Sequence, residues 1–316
     1  MAHEPSGVVV VDKPSGPTSF DVVRRVKGLF KAKRCGHTGT LDPIATGVLP
    51  ICVGDATRIA SFISEGEKEY DGVVRFGQST DTQDSAGRTL TTRPVEGLTE
   101  ERVGEALKGF VGLIEQTPPM YSARKVDGKR LYELARAGEE VEREARQVNI
   151  DEARLLFFRS PDAGIFVRCS KGTYLRTLAH DLGEKLGCGA HLRELKRVRV
   201  GPFSLEDSVG LDTLMAVAKE GREKLDPYLH PIARGLAEMA ELQLDPHLAR
   251  RVAHGHAPGP SDLSRLRAPP FPRGRKVRLL HPDGRVLAVA ESDGVGTLKL
   301  LRVLVSGAHD LVEKDY

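Results

Sequence analysis

The residues best placed to do chemistry form the run Gly36-His37-Thr38-Gly39-Thr40-Leu41-Asp42-Pro43, which puts one carboxylate in a loop bounded by glycine and proline. Glycine opens backbone geometry closed to other residues, and proline restricts the residue before it, so Asp42 is expected to point in a defined direction. A carboxylate held that way can serve as a nucleophile. The alternative is an Asx-type turn, in which the side chain bonds nearby amides. A second acidic run, Ser79-Thr80-Asp81-Thr82-Gln83-Asp84, could suggest a magnesium site or a phosphotransfer aspartate. Metal-assisted phosphate chemistry usually gathers more carboxylates, and no P-loop accompanies this run.

Arg176 is the basic residue whose position asks for an acid. Leu175, Leu178, Ala179, Leu182 and Leu186 share a helical stripe ended by Gly187, which puts Arg176 in the first helical turn. A cation gains nothing from the helix dipole at that end, so a carboxylate elsewhere in the chain would explain its placement. The alternative is a surface arginine bonded to water.

The elements that must hold these groups follow from periodicity. Val8–Val11 reads as a strand. Thr18 or Ser19 caps a helix with Asp21 in its first turn; Val22, Val23, Val26, Leu29 and Phe30 lie on one face and the basic residues turn outward. Val48–Val53 reads as a buried strand, and Gly72–Phe76 as a shorter one beginning after Tyr70, so the acid loop falls between helix and strand. Thr99–Phe110 is expected to be helical, and Ile165, Val167 and Cys169 alternate as in a half-buried strand. Residues 115–145 are rich in proline and then in charge, with a short helix expected from Arg130 to Ala137. Beyond residue 240 a short helix at Leu248–Gly255 and a proline-rich stretch, Pro258–Pro272, precede strands at Val277–Leu280, Val286–Ala290 and Leu298–Val305, a spacing that suits a small antiparallel barrel.

At 316 residues the chain is long enough for a sizeable core plus a smaller module. No apolar run approaches the roughly 18 residues that span a bilayer, and the polar start followed by Asp12 and Lys13 is unlike a signal peptide, so a cytoplasmic protein is expected. Cys35, Cys52, Cys169 and Cys188 are scattered without a C-x-x-C pair, which suggests neither a zinc cluster nor a disulfide framework. The net charge of +3 is small, but it is clustered: Arg24, Arg25, Lys27, Lys31, Lys33 and Arg34 before the acid loop; Arg124, Lys125, Lys129 and Arg130; then Arg193, Lys196, Arg197 and Arg199. Such clusters serve as solvated faces or as phosphate contacts.

The loop and its continuation Ile44-Ala45-Thr46-Gly47-Val48-Leu49-Pro50-Ile51 resemble the catalytic motif of the TruB family, bacterial synthases of pseudouridine 55 in tRNA. Further blocks follow in the family's order: Asp12-Lys13-Pro14, Pro118-Pro119-Met120-Tyr121-Ser122-Ala123 with Lys125, Ser170-Lys171-Gly172-Thr173-Tyr174-Leu175-Arg176-Thr177, and Leu186-Gly187-Cys188-Gly189-Ala190-His191-Leu192. The likeness covers most of residues 7 to 205 and fades after about residue 240.

The resemblance implies an α+β protein: a pseudouridine synthase fold with a mixed, mainly antiparallel central sheet over residues 1–238, carrying a thumb-like RNA-gripping insertion at 115–145, and a PUA-like RNA-binding β-barrel over 239–316. It implies isomerisation of uridine 55 in the T arm of tRNA on a flipped-out base, with no metal and no cofactor. Asp42 is then the catalytic group, and Tyr70, Tyr174, Arg176 and Leu195 its active-site partners. His37 is placed against the vacated RNA stack, with Arg124, Lys125, Lys129, Arg130 and Arg197 as RNA contacts. Lys13 and Pro14 are structural, beneath the site, and Asp84 supports it. Whether Asp42 attacks C1′, removes the C2′ proton or adds to the ring stays open. The expected partner is tRNA, with no membrane and no obligate protein partner. The alternative is a non-catalytic RNA-binding or RNA-folding protein that keeps the fold.

Overall fold

The computed structural model describes residues 4–304 apart from Ala123, Arg124, Asp127, Ala137 and Glu140; for Lys125, Val126, Lys129, Arg130, Tyr132, Glu133 and Arg136 it describes the backbone alone. Arg124, the side chains of Lys125, Lys129 and Arg130, and the strand end at Val305 therefore lie outside the described residues.

Four consecutive valines set the centre of the molecule. In the strand Gly7–Lys13, Val9 and Val11 enter one core and Val8 and Val10 another, because successive side chains of a strand point to opposite faces. A strand buried on both faces reads as a continuous apolar run. Among the described residues ten strands form one sheet. Its main path runs Val209–Gly210, Gly7–Lys13, Thr46–Val53, Ala190–Val200, Lys68–Phe76, Asp162–Cys169, Arg146–Arg159 and Gly112–Gln116, with Cys35–His37 beside Thr46–Val53 and Phe203–Ser204 beside Ala190–Val200. Gly7–Lys13 pairs in parallel with Val209–Gly210, and Thr46–Val53 with Ala190–Val200; the other pairs are antiparallel. The sheet is thus mixed and mainly antiparallel, as expected.

The helix Ser19–Phe30 starts at Thr18, whose hydroxyl accepts from the amide of Asp21 at 3.1 Å while the Asp21 carboxylate accepts from the amide of Thr18 at 3.0 Å. Its buried residues Val22, Val23, Val26 and Phe30 pack on the Val9 side of the sheet, leaving Arg24, Arg25 and Lys27 exposed. The helices Glu100–Lys108 and Leu175–Lys185 cover the same side.

One strand begins earlier than its hydropathy suggests. Lys68–Phe76 starts ahead of Tyr70, with Lys68, Tyr70, Gly72, Val74 and Phe76 on the buried face. Polar residues at the first two inward positions hide the start of the alternation.

The C-terminal segment forms a four-stranded sheet in the order Ala240–Gln243, Lys276–Leu280, Val286–Ser292, Leu298–Val303. Its first pair is parallel, an edge that the antiparallel spacing did not announce. Asp245 caps the helix Pro246–Ala253, and the proline-rich stretch holds a further helix, Pro260–Arg265. Leu280, Val286, Val289 and Leu304 share one core with Val8, Val10, Ile59 and Phe203, so this sheet docks on the larger one through apolar contact. Arg58 donates to the carbonyl of Leu304 at 2.6 Å, and Lys276 pairs with Glu65 across the same boundary. Among the described residues no helix is long and apolar enough to cross a membrane.

Candidate active site

The loop carrying Asp42 leaves the strand Cys35–His37 and enters Thr46–Val53, and buried polar side chains on either side hold its backbone. The Ser19 hydroxyl donates to the carbonyl of Leu41 at 2.9 Å and accepts from its amide at 2.8 Å. Thr18, not Ser19, caps the helix, which frees Ser19 for this task. Lys13 has no exposed surface, and its ammonium donates to the carbonyls of Pro14, Pro43 and Ala45 at 2.9, 3.2 and 2.7 Å. All three donors of the ammonium are used. Burial holds the Lys13 ammonium pKa down to about 8, while the carboxylate of Asp42 pulls it upward.

Pro14, expected beneath the site, is exposed and contributes its carbonyl to this clamp. Replacement Lys13→Met is expected to strip the ammonium from three carbonyls, of which that of Pro43 keeps the amide of Gly16 at 2.8 Å, and to lower unfolding stability by about 3 kcal/mol. Chemical denaturation of the variant beside wild type checks it.

Arg197 corrects the sequence reading. Expected among the RNA contacts, it is 1% exposed, and its guanidinium donates to the carbonyls of Val48, Thr40 and Gly39 at 2.8, 3.4 and 3.1 Å. A cation so buried is held by carbonyl oxygens and interacts with the Tyr70 hydroxyl; it forms the floor beneath the loop. The loop glycines need correction too. Neither Gly36 nor Gly39 has a positive φ. The position that demands glycine is Gly47, at φ +97°, where a Cβ would stand 2.2 Å from the carbonyl oxygen of Arg197. Polar clamps, more than loop glycines, fix the direction of Asp42.

The Asp42 carboxylate turns to Arg176 and not to loop amides, so the Asx-turn alternative fails. Nη2 of Arg176 donates to Oδ1 at 3.3 Å, and Nε lies 2.9 Å from Oδ2, with its N–H off the line to that oxygen. The arginine side chain is 4% exposed against 35% for Asp42, so the pair joins a buried cation to a carboxylate open on one side. The same guanidinium donates to the carbonyls of Thr82 at 3.0 Å and Tyr121 at 2.8 Å and stands 3.7 Å from Asp84.

Asp84 is buried, and its Oδ1 accepts from the Thr82 hydroxyl at 2.6 Å and the Ala86 amide at 3.0 Å. Asp81 turns elsewhere, accepting from the amide of Arg88 at 2.9 Å. The two acids of that run therefore do not converge on one point. Desolvation raises the Asp42 pKa above the ordinary carboxylate value, Arg176 opposes this, Asp84 adds to it and Lys13 opposes it more weakly. Arg176 thus restrains the rise without cancelling it.

Asp42, Tyr70, Tyr174, Arg176, Leu195 and Arg197 line one cavity of about 330 Å³. That volume lies in the range of small-molecule sites. Tyr70 comes from Lys68–Phe76, with Arg197 opposite it on Ala190–Val200; Leu195 stands opposite Gly72. Burial raises the phenol pKa of Tyr70, with Arg197 opposing, so the ring enters neutral.

Tyr174 is the residue before Leu175–Lys185. Its backbone is clasped by the buried Gln116, which donates to its carbonyl at 3.2 Å and accepts from its amide at 2.9 Å. His37 does not line the cavity. It is half-buried in its strand, and burial together with Arg197 holds the imidazole pKa below its usual value. Sequence reasoning missed Gln116, Ser19 and Lys68. Gln116 ends the edge strand Gly112–Gln116 where the 115–145 insertion begins, a junction that would have pointed to it.

Comparison with known proteins gives this geometry its context. The pattern of the TruB family pseudouridylate synthase N-terminal domain matches residues 27–175, and that of the tRNA pseudouridylate synthase B C-terminal domain matches residues 176–237. The tRNA pseudouridine synthase B of Stutzerimonas stutzeri is 44% identical over 97% of this chain and 98% of its own. That of Burkholderia mallei is 46% identical over 96% and 98%. Among solved structures, a Cbf5-Nop10-Gar1 complex contains a chain that superposes with a TM-score of 0.74 at 24% identity, covering 95% of this chain and 85% of that one, which shows a shared fold. The archaeal box H/ACA sRNP Nop10-Cbf5 complex gives 0.71 at 22% identity over 96% and 88%. The chain belongs to the TruB family of pseudouridylate synthases.

Proposed function

We propose that this isomerase, a pseudouridine synthase acting on tRNA, takes as its substrate the uridine at position 55 in the T arm and uses Asp42 as its reacting carboxylate. The observation that carries the reading is the Asp42–Arg176 pair lining one cavity with Tyr70, Tyr174 and Leu195. Isomerisation breaks the C1′–N1 bond, turns the uracil and joins C5 to C1′. Nothing is oxidised or reduced.

The target nucleotide leaves its stack, at a cost of a few kcal/mol. Stacking on an aromatic ring returns about 1–3 kcal/mol per base, which the Tyr70 and Tyr174 rings can supply. His37, held towards its neutral form, fills the space left in the RNA, and the exposed arginines of Ser19–Phe30 meet phosphate. The 115–145 segment closes over the RNA as a thumb, with Lys125, Lys129 and Arg130 reaching the backbone and Arg124 beside them. Residues 239–316 act as a PUA-like RNA-binding unit beside the catalytic part, residues 1–238, in a cytoplasmic protein that needs no protein partner. By every route open to Asp42, whether attack at C1′, removal of the C2′ proton or addition to the ring, the uracil takes on negative charge before C5 meets C1′.

Incubation of the purified protein with an unmodified tRNA transcript, without added metal or nucleotide, followed by mapping of pseudouridine along the strand, is the test. The expected result is stoichiometric conversion at position 55. Conversion elsewhere with position 55 untouched overturns the assignment of position, and RNA binding without product favours a binding protein that keeps the fold.

A further inference from the structure

Lys68 is a buried cation that the scheme above leaves without a task. It opens the strand Lys68–Phe76 two residues before Tyr70, on the same face, and it lines the cavity. The residue is 6% exposed. Its ammonium donates to the carbonyls of Ser64 at 2.6 Å and Gly66 at 2.7 Å, at the end of the helix Ala60–Glu65. An ammonium has three donors, and no third acceptor is found among the described residues.

Two of the charges around it are of its own sign. Arg197 and Lys171 both push its pKa down, adding to the desolvation that brings it to about 8, while Cys169 opposes them. The nearby carboxylate Glu65 is engaged by Lys171 at 3.6 Å and by Lys276. Capping a short helix does not require this arrangement, because a lysine can reach terminal carbonyls from the surface without losing its hydration. Two carbonyl dipoles leave a buried ammonium with its charge unmatched, which is costly unless an anion arrives.

We propose that Lys68 is a catalytic residue whose ammonium meets the uracil ring and stabilises the negative charge that the ring acquires during the isomerisation. This rests on the functional reading above. When C1′–N1 breaks, the electron pair passes to the ring and spreads over N1 and the two carbonyl oxygens. After the ring turns, C5 bonds to C1′ as the Asp42 step is reversed, the carboxylate leaving C1′ or the ring, or the proton returning to C2′; the C5 proton leaves and N1 takes one up, so the balance closes without a co-reactant. Lys68 forms and breaks no covalent bond in this sequence.

Depth selects the ring over a phosphate as its partner. A phosphate on the RNA surface would be met by an exposed cation such as Lys171, whose side chain is 61% exposed, whereas Lys68 sits beside the ring-stacking tyrosine. The pocket is thereby polarised, with Asp42 facing the sugar and Lys68 facing the base.

The test uses full-length Lys68→Gln and Lys68→Arg beside wild type, with single-turnover rates, tRNA affinity and melting temperature measured for each. Glutamine keeps N–H donors for the carbonyls and removes the charge. Lys68→Gln is expected to convert uridine about 10²-fold more slowly, in line with loss of one charge-stabilising donor, while its Kd stays within about threefold of wild type. Lys68→Arg is expected to recover at least about tenfold of that loss.

A Lys68→Gln protein at wild-type rate overturns the proposal, as does a loss confined to Kd, which would mean a phosphate contact. If Lys68→Gln melts early, Lys68→Arg decides: a folded Lys68→Arg protein as slow as Lys68→Gln overturns it. Wild-type protein that makes no product overturns the functional reading and this inference with it, whereas product from wild type and equal product from Lys68→Gln overturns this inference alone.

Discussion

The Asp42→Asn protein is expected to bind unmodified tRNA within about threefold of wild type and to form pseudouridine at least about 10³-fold more slowly, since an amide cannot supply the reacting anion. The separation of binding from chemistry follows from how the loop is held. Lys13, Ser19 and Arg197 bond the loop through the carbonyls of Gly39, Thr40, Leu41, Pro43 and Ala45 and the amide of Leu41, and none of these contacts uses the carboxylate. Asparagine retains an oxygen to accept from Nη2 of Arg176, so the backbone path and the cavity walls should survive the change. Asp42→Glu adds a methylene to the lining of a cavity of about 330 Å³ and displaces the anion. It is expected to be impaired as well, because a misplacement of about 1 Å can cost 10²-fold. Single-turnover conversion and filter-binding affinity for both variants decide the matter. Wild-type conversion by Asp42→Asn would remove Asp42 from the mechanism.

Some of this site is readable in the chain, though not from local features alone. A run of four valines marks a strand by itself and reaches two cores in the fold, whereas an acid before proline and a cation in a first helical turn take their weight from the ordered motif blocks around them; in the fold Asp42 and Arg176 pair. Where the reading went astray, charge was given more weight than spacing. Counting by two from Leu195 puts Arg197 on the inward face, as the strand does, yet its place in a basic cluster suggested the outside. Counting by two back from Tyr70 likewise reaches Lys68, which a hydropathy pattern treats as a strand boundary. Buried cations break the polar-out rule where a site needs them, so period-two partners of a pocket residue carry more information than their charge does. The parallel edge strand Ala240–Gln243 was not legible for another reason: its partner Lys276–Leu280 lies more than thirty residues on, and no local signal encodes that pairing.

Arg176→Met is expected to shift the acid limb of the rate profile to higher pH, and the direction follows from the pair's electrostatics. Burial already raises the Asp42 pKa, and Arg176 is the largest influence holding it down. Without the guanidinium the pKa climbs further, and the anion is populated only at pH above it. Activity measured near neutral pH should therefore fall by about 10²-fold or more and recover in part as pH is raised. Stability carries the opposite sign. With its folded pKa raised, native Asp42 holds a proton that the unfolded chain has released. Stability accordingly declines as pH rises from the ordinary carboxylate value to the raised one, and the ionised state is a cost carried for function. Arg176→Met widens that window. It also strips a donor from the carbonyls of Thr82 and Tyr121, for a loss of about 3 kcal/mol, taken at the low end for a broken buried pair because Asp42 keeps about a third of its side chain in water. Arg176→Lys restores the charge without the planar fork, so its acid limb should lie between the other two while its melting temperature stays low. Rate profiles from pH 5 to 9 on the three proteins, with thermal denaturation alongside, separate the charge from the scaffold. An acid limb that stays in place in Arg176→Met would show that the guanidinium acts only as a brace between the Asp42 loop, the Thr82 loop and the backbone at Tyr121.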